Sequence, residues 1–166
     1  KEINIPLQLQ NDVKMIHQGC YFTYQQDSTY YLYINEVGIG SSYFYKDEPL
    51  YGRSGIMGEI GLISLKGKTI NQQIRECQNQ EEFNEILSLL LSMVFTMIDP
   101  KRLELSLDLK WRYEENIIEK VLNEINQSCF ENLYFHEDVS SMLFDGLVYR
   151  GVVYLLKERI ERNEKI

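Results

Sequence analysis

Hydrophobic positions along this chain switch between a period of two and a helical period. Residues 3–10 alternate Ile3, Ile5, Leu7 and Leu9 with polar neighbours, the pattern of a half-buried strand, and Pro6 places it near an edge. Asn11-Asp12 then stops the strand and can cap a helix running to about Phe22. Two aromatic and β-branched runs, residues 29–35 and 39–45, flank Glu36-Val37-Gly38 and predict neighbouring antiparallel strands. A turn over 46–49 leads into a glycine-rich stretch, followed by a short apolar run at 62–65 and a turn at 66–68. Residues 70–80 are polar and only weakly helical. The strongest helical period covers residues 81–98, with Phe83, Ile86, Leu87, Leu90, Met93, Val94 and Met97 on one stripe. Leu89, Leu91, Phe95 and Ile98 make its second half apolar nearly all round, as in a helix of the core or of a subunit contact. Asp99-Pro100 ends it, because a residue before proline avoids the α region.

Beyond the proline, Leu103, Leu105 and Leu107 predict a strand over 102–108 with one buried face. An amphipathic helix over 111–126, a short strand over 132–136 and a final helix over 145–162 with a charged end follow. Strand and helix alternate through this half, which predicts an α/β layer with a mainly parallel sheet. With no long linker, repeat or low-complexity tract, the 166 residues form one domain, 1–166.

The net charge of −8 argues against contact with nucleic acid or an anionic membrane surface, since both need a basic face. Apolar runs look too short and too interrupted to span a bilayer, and no signal peptide begins at Lys1, so a cytoplasmic location is expected. The chain starts without Met, which suggests a fragment of something longer. Cys20, Cys77 and Cys129 are odd in number and widely spaced, which fits reduced thiols and no zinc cluster. His17 and His136 are expected as surface or satisfied structural residues, and the twelve tyrosines as aromatic strand faces.

Gly52, Gly55, Gly58 and Gly61 recur at every third position, with Glu59 among them. The stretch is either a plain connection or a loop that brings backbone amides and Glu59 to a polar ligand. Asp12 carries a similar pair of readings: a helix N-cap, or a carboxylate facing ligand at the end of a strand.

Together, Asn11-Asp12, the Gly52-to-Gly61 stretch ending Gly-Glu-Ile-Gly, and Met97-Ile98-Asp99-Pro100 followed by Gly151 resemble the second half of the ROK family of repressors and sugar kinases. The resemblance implies the second lobe of the actin/hexokinase-type (ribonuclease H-like) ATPase fold, a mixed sheet flanked by helices. It implies ligand contacts at Asn11, Asp12, Gly55, Gly58 and Glu59, with Asp12 at the place of the catalytic base. The departures point away from catalysis. Leu62 stands where the family has its zinc-ligand His, the cysteine-rich segment is missing, and Cys77 is alone. Glu36-Val37-Gly38 replaces Gly-Thr-Gly on the nucleotide side, where a carboxylate opposes polyphosphate. Ser106-Leu107-Asp108 follows where glycines are expected.

The expectation is therefore the carboxyl-terminal effector-sensing and oligomerising domain of a ROK-type transcriptional repressor. It binds a sugar or sugar derivative without phosphorylating it, with no metal and no cofactor. DNA would be touched only through an upstream domain, and the partners are the sugar and further copies of the chain. The alternatives are half of an ATP-dependent sugar kinase, or a ligand-free dimerisation module built on the apolar helix 81–98.

Overall fold

Alternating apolar residues on two adjacent runs make a hairpin, further strands extend it at both edges, and helices cover its two faces. The computed structural model describes residues 11–24, 27–46, 48–114, 116–117, 121 and 133–163. Helix α1 spans Asp12–Tyr24, and strands β1 (Ser28–Asn35), β2 (Ile39–Tyr45) and β3 (Glu48–Pro49) follow. A 3-10 turn at Ile60–Leu62 precedes a small hairpin of β4 (Ser64–Leu65) and β5 (Lys68–Thr69). Next come α2 (Ile70–Glu76), α3 (Gln80–Met97), β6 (Arg102–Asp108), β7 (Leu133–His136) and α4 (Val139–Asn163). The strand expected over 3–10, Cys129 and most of the helix expected over 111–126 lie outside the described residues. Of that span, residues 111–114 are described and are not helical, so the helix does not start at Trp111; Ile117 and Val121 are buried.

The main sheet has the order β3-β2-β1-β6-β7. β1 pairs antiparallel with β2 and parallel with β6, and β6 pairs parallel with β7, so the sheet is mixed. Asn35 closes the β1–β2 turn: its Oδ1 accepts from the amides of Val37 at 2.9 Å and Gly38 at 3.0 Å. Because β1 is central, side chains from both of its faces are buried. Tyr30, Leu32 and Ile34 join Leu103 and Leu105 of β6 against α2 and α3, while Tyr31 faces α1 and α4. A central strand covered on both sides reads as nearly continuous apolar sequence, as β1 does.

The polar stretch 70–80 resolves into a capped helix. Thr69 and Gln72 form a reciprocal capping box at the start of α2, and Asn79 caps α3 by accepting from the Glu82 amide at 2.9 Å. Each such cap stabilises by about 1 kcal/mol. α3 places Phe83, Leu87, Leu90, Leu91, Val94 and Phe95 in the core, leaving Leu89 and Met97 exposed. Of the two places its apolar pattern allowed, the core absorbs nearly all of it.

Two expectations are corrected. The last helix begins at Val139 rather than at 145, because Asp138 Oδ1 accepts from the Ser140 amide at 3.0 Å and starts the helix there. Among the described residues, its segment Val139–Lys157 is also long and apolar enough, by length and composition, to cross a bilayer. Inward, α4 crosses α1 at two glycines. A Cβ on Gly146 would stand 1.8 Å from the Met15 carbonyl oxygen, and one on Gly19 would stand 2.1 Å from that of Met142. Outward, Phe144, Leu147 and Leu155 are 66%, 54% and 65% exposed.

Strand β6 also departs from expectation. Its alternate residues Arg102, Glu104 and Ser106 are buried instead of facing water, because α1 and α4 cover that face.

Candidate functional site

Helix α1 begins beside the end of β1 and the start of β2, and its first turn shares a cleft with Glu59 of the glycine stretch. Asn11 is the residue that caps it, its Oδ1 accepting from the Lys14 amide at 3.2 Å. Asp12 is thereby released from capping. Its carboxylate touches only the adjacent amide of Val13, at 2.8 Å, among the hydrogen bonds of the described residues. It stays exposed in the first turn, where the helix dipole favours a negative charge.

On the opposite side, Glu59 precedes the 3-10 turn. Its carbonyl accepts from the Leu62 amide at 3.0 Å, and its side chain makes no cap bond. The carboxylates of Asp12 and Glu59 thus line one cleft of about 250 Å³, with Asn11, Tyr33, Asn35, Ser41 and Asn71. Among the described lining residues there is no Lys, Arg or His. Tyr33 donates to Asp108 Oδ2 at 3.0 Å, and partial burial, with Asp108 and Asp12 nearby, raises the phenol above its ordinary pKa. The site is rich in acceptors and negative charge, suited to a neutral ligand with several hydroxyl donors.

The glycines have separate jobs. Gly58 has φ +95°, and a Cβ there would lie 2.5 Å from the Ser41 carbonyl oxygen. Its own carbonyl accepts from Ser41 Oγ at 2.5 Å, which pins the loop to β2. Gly58 lies in the wall of an apolar cavity of about 200 Å³ behind the loop, with Tyr30, Met57, Met93 and Met97, and not in the wall of the polar cleft. Gly55 is at the exposed tip of the stretch with nothing within 4 Å of a would-be Cβ, so it too stands away from the cleft.

Asn71 carried no signal in the sequence, yet it joins the site together. Its Oδ1 accepts from the Ile39 amide at 2.8 Å, and its amide fills the space over two glycines. A Cβ would come within 2.1 Å of it at Gly61 and 2.8 Å at Gly38. Hydrogen bonding from a side chain that also contacts the cleft explains why the fourth glycine of the stretch is required.

Around Glu36 the structure tempers the expectation of a repelled phosphate. Glu36 shares a second cleft, of about 380 Å³, with Arg75, Lys110 and Trp111. The ammonium of Lys110 lies 4.3 Å from the centroid of the Trp111 ring, and Arg75 donates to the Val37 carbonyl at 3.1 Å. Two cationic side chains therefore share that cleft with Glu36. At the positions the resemblance assigns to zinc, the residues do not fit the metal. Leu62 is 59% exposed carbon, and the Cys77 thiol donates to the Gln73 carbonyl at 3.3 Å.

His17 is a satisfied structural residue. Its ring is fully buried between Ser42 Oγ at 2.5 Å and Thr29 Oγ1 at 2.8 Å, and packs against Tyr31 and Phe44. Burial lowers its pKa to about 3, so it is neutral at ordinary pH. His136 does not match the same expectation so simply. With Arg102 it contacts the buried carboxylate of Glu104, and Cys20 lies beside them.

No family model and no curated protein matches the chain. Solved structures do. A ROK family protein from Streptococcus pneumoniae in complex with sucrose superposes with a TM-score of 0.62 at 16% identity, covering 93% of this chain and 68% of that one. A ROK hexokinase from Thermus thermophilus gives 0.58 at 15% identity, covering 85% and 63%. A ROK family glucokinase from Streptomyces griseus in complex with glucose and AMPPNP gives 0.54 at 13% identity, covering 87% and 68%. The fold is that of ROK/hexokinase-type sugar kinases, and the chain spans about two thirds of the length of these structures.

Proposed function

We propose that this chain is a ROK-type sugar-binding domain that senses a sugar or sugar derivative for a transcriptional repressor and does not phosphorylate it. The observation that carries the reading is the shared cleft: Asp12 and Glu59, brought from opposite sides, stand over hydrogen-bonding side chains with no cation among them. Carboxylates that have no structural duty accept from ligand hydroxyls, and each such charged hydrogen bond contributes about 1.5–3 kcal/mol. The same absence of cations makes the cleft a poor holder of a phosphorylated product. The solved neighbour with sucrose and the one with glucose are in keeping with a sugar as the ligand class.

In this reading the protein is cytoplasmic and homo-oligomeric. The subunit contact is carried by the outward face of α4 rather than by α3, whose apolar residues are spent in the core. DNA is reached through another part of the repressor. The sugar acts by binding one subunit arrangement more tightly than another.

Titration calorimetry against a panel of neutral monosaccharides, disaccharides and N-acetylated sugars tests the site. One of them is expected to bind, with affinity falling at least about tenfold in Asp12→Ala and in Glu59→Ala, the loss of one charged hydrogen bond each. Binding that ignores both substitutions would remove Asp12 and Glu59 from the site. The kinase reading is favoured by one observation, the Arg75, Lys110 and Trp111 cleft beside Glu36. ATP-dependent phosphorylation of the bound sugar, lost in Asp12→Ala, would establish it in place of the sensor.

A further inference from the structure

The far half of α1 takes part in a second constellation, away from the sugar cleft. Cys20 Sγ, a carboxylate oxygen of Glu104 and a ring nitrogen of His136 all lie within 4.8 Å of one another. The thioether sulfur of Met142 is 3.0 Å from Cys20 Sγ. The four donors come from α1, β6, β7 and α4, and Cys20, Glu104 and Met142 are only 2%, 1% and 9% exposed. His136 is the open side, its side chain 17% exposed.

We propose that Cys20, Met142 and His136 form a binding site for one Cu(I) ion, with Glu104 and Arg102 balancing its charge. The donor types decide the metal class: thiolate, thioether and imidazole are soft or borderline ligands, and a thiolate beside a thioether selects Cu(I). Met142 is the discriminating residue, because zinc is held by thiolate, imidazole and carboxylate and makes no use of a thioether.

Charge points the same way. With Cys20 ionised, the buried set carries two negative charges, Cys20 and Glu104, and one positive charge, Arg102. A monovalent ion brings that sum to zero, whereas a divalent ion leaves an uncompensated positive charge in a buried place. Arg102 is held for this duty, its guanidinium carbon 3.7 Å from the Tyr24 ring centroid and 3.4 Å from that of Tyr134. Its Nε also pairs with one oxygen of Glu104, while the other contacts His136 Nε2.

Binding is an exchange of a proton for the metal. The Cys20 S–H bond breaks, a sulfur–copper bond forms, and the proton leaves to solvent, with no change of oxidation state. Without metal, burial favours the protonated thiol.

The test uses the full chain with Cys77→Ser and Cys129→Ser, so that Cys20 is the one remaining thiol. It is titrated anaerobically with Cu(I) against a colorimetric copper chelator. One equivalent is expected, with X-ray absorption reporting two sulfur ligands and one nitrogen. Cys20→Ser abolishes binding, and the volume-conserving Met142→Leu, which keeps the fold by circular dichroism, weakens it about 10-fold or more. No competitive copper binding, or binding indifferent to Cys20→Ser or Met142→Leu, overturns the proposal. So does one equivalent of Zn(II) held more tightly than Cu(I) and unaffected by Met142→Leu.

Discussion

The two faces of the central sheet are built on opposite plans. Toward α2 and α3, β1 and β6 present Leu32, Ile34, Leu103 and Leu105, each with no exposed surface. Toward α1 and α4, the same two strands present Tyr31, Arg102, Glu104 and Ser106, also buried, and Tyr31 donates to Ser106 Oγ at 2.9 Å. The first face is hydrocarbon apart from the Tyr30 hydroxyl, which bonds Ser41 Oγ; the second is built of buried polar and charged side chains, paired except at Arg102 Nη2. Apolar packing tolerates volume-conserving change, whereas a buried charge stripped of its partner does not. Buried polar chemistry and the cleft of Asp12 and Glu59 therefore both lie on the α1 side, the cleft where that helix begins and the sulfur cluster farther along it.

Breaking each face once measures the contrast. Glu104→Ala leaves the Arg102 guanidinium buried and unpaired, and urea unfolding is expected to show a loss of about 3–5 kcal/mol. Replacing both partners, Arg102→Met with Glu104→Leu, is expected to cost clearly less than the single change, a non-additivity that an apolar pair would not give. On the other face, Leu105→Met should cost under about 1.5 kcal/mol. Equal losses for Leu105→Met and Glu104→Ala would erase the distinction between the faces.

A smaller effect is expected where α1 meets α4. Gly146→Ala gains helix propensity of about 1 kcal/mol but drives a methyl group into the Met15 carbonyl, for a net loss of about 1–3 kcal/mol by thermal unfolding. The buried His17 gives a gentler probe of the polar face. Its folded pKa, about 3, lies below the unfolded value of 6.5, so the unfolded chain binds the extra proton between them. His17 therefore adds full stability above about pH 6.5 and loses it as pH falls toward 3, by about 1.4 kcal/mol per unit. Urea midpoints measured from pH 7 to pH 4 should show this slope, and His17→Gln should flatten it. The smallest expected effect is on stability in Asp12→Asn, within about 0.5 kcal/mol, because Asn11 holds the cap.

Much of this architecture was legible in local patterns. The hairpin of residues 29–45, the helix ending at Asp99-Pro100 and the strand 102–108 each announce themselves by period and punctuation. The pairing of Asn11-Asp12 with the glycine stretch came from the family resemblance instead, and of that stretch Glu59 is the residue that shares their cleft. What stayed hidden depends on long-range packing. Alternation in β6 says that Leu103 and Leu105 share a face, but not that two helices will bury Arg102 and Glu104 on the other. Cys20, Glu104 and the His136–Met142 segment are far apart in sequence and meet only through the sheet order and the helices packed on it. Asn71 lies in a polar stretch without a period, and its role comes entirely from the loops it touches.

That asparagine has a consequence for how the chain can vary. Its amide occupies the volume that a side chain at Gly61 or Gly38 would need, and its oxygen serves the first amide of β2. A larger residue at Gly61 must expel Asn71, and losing Asn71 leaves the Ile39 amide to find another acceptor. Gly38, Gly61 and Asn71 thus behave as one heritable unit, and lineages descended from this chain should keep or replace them together.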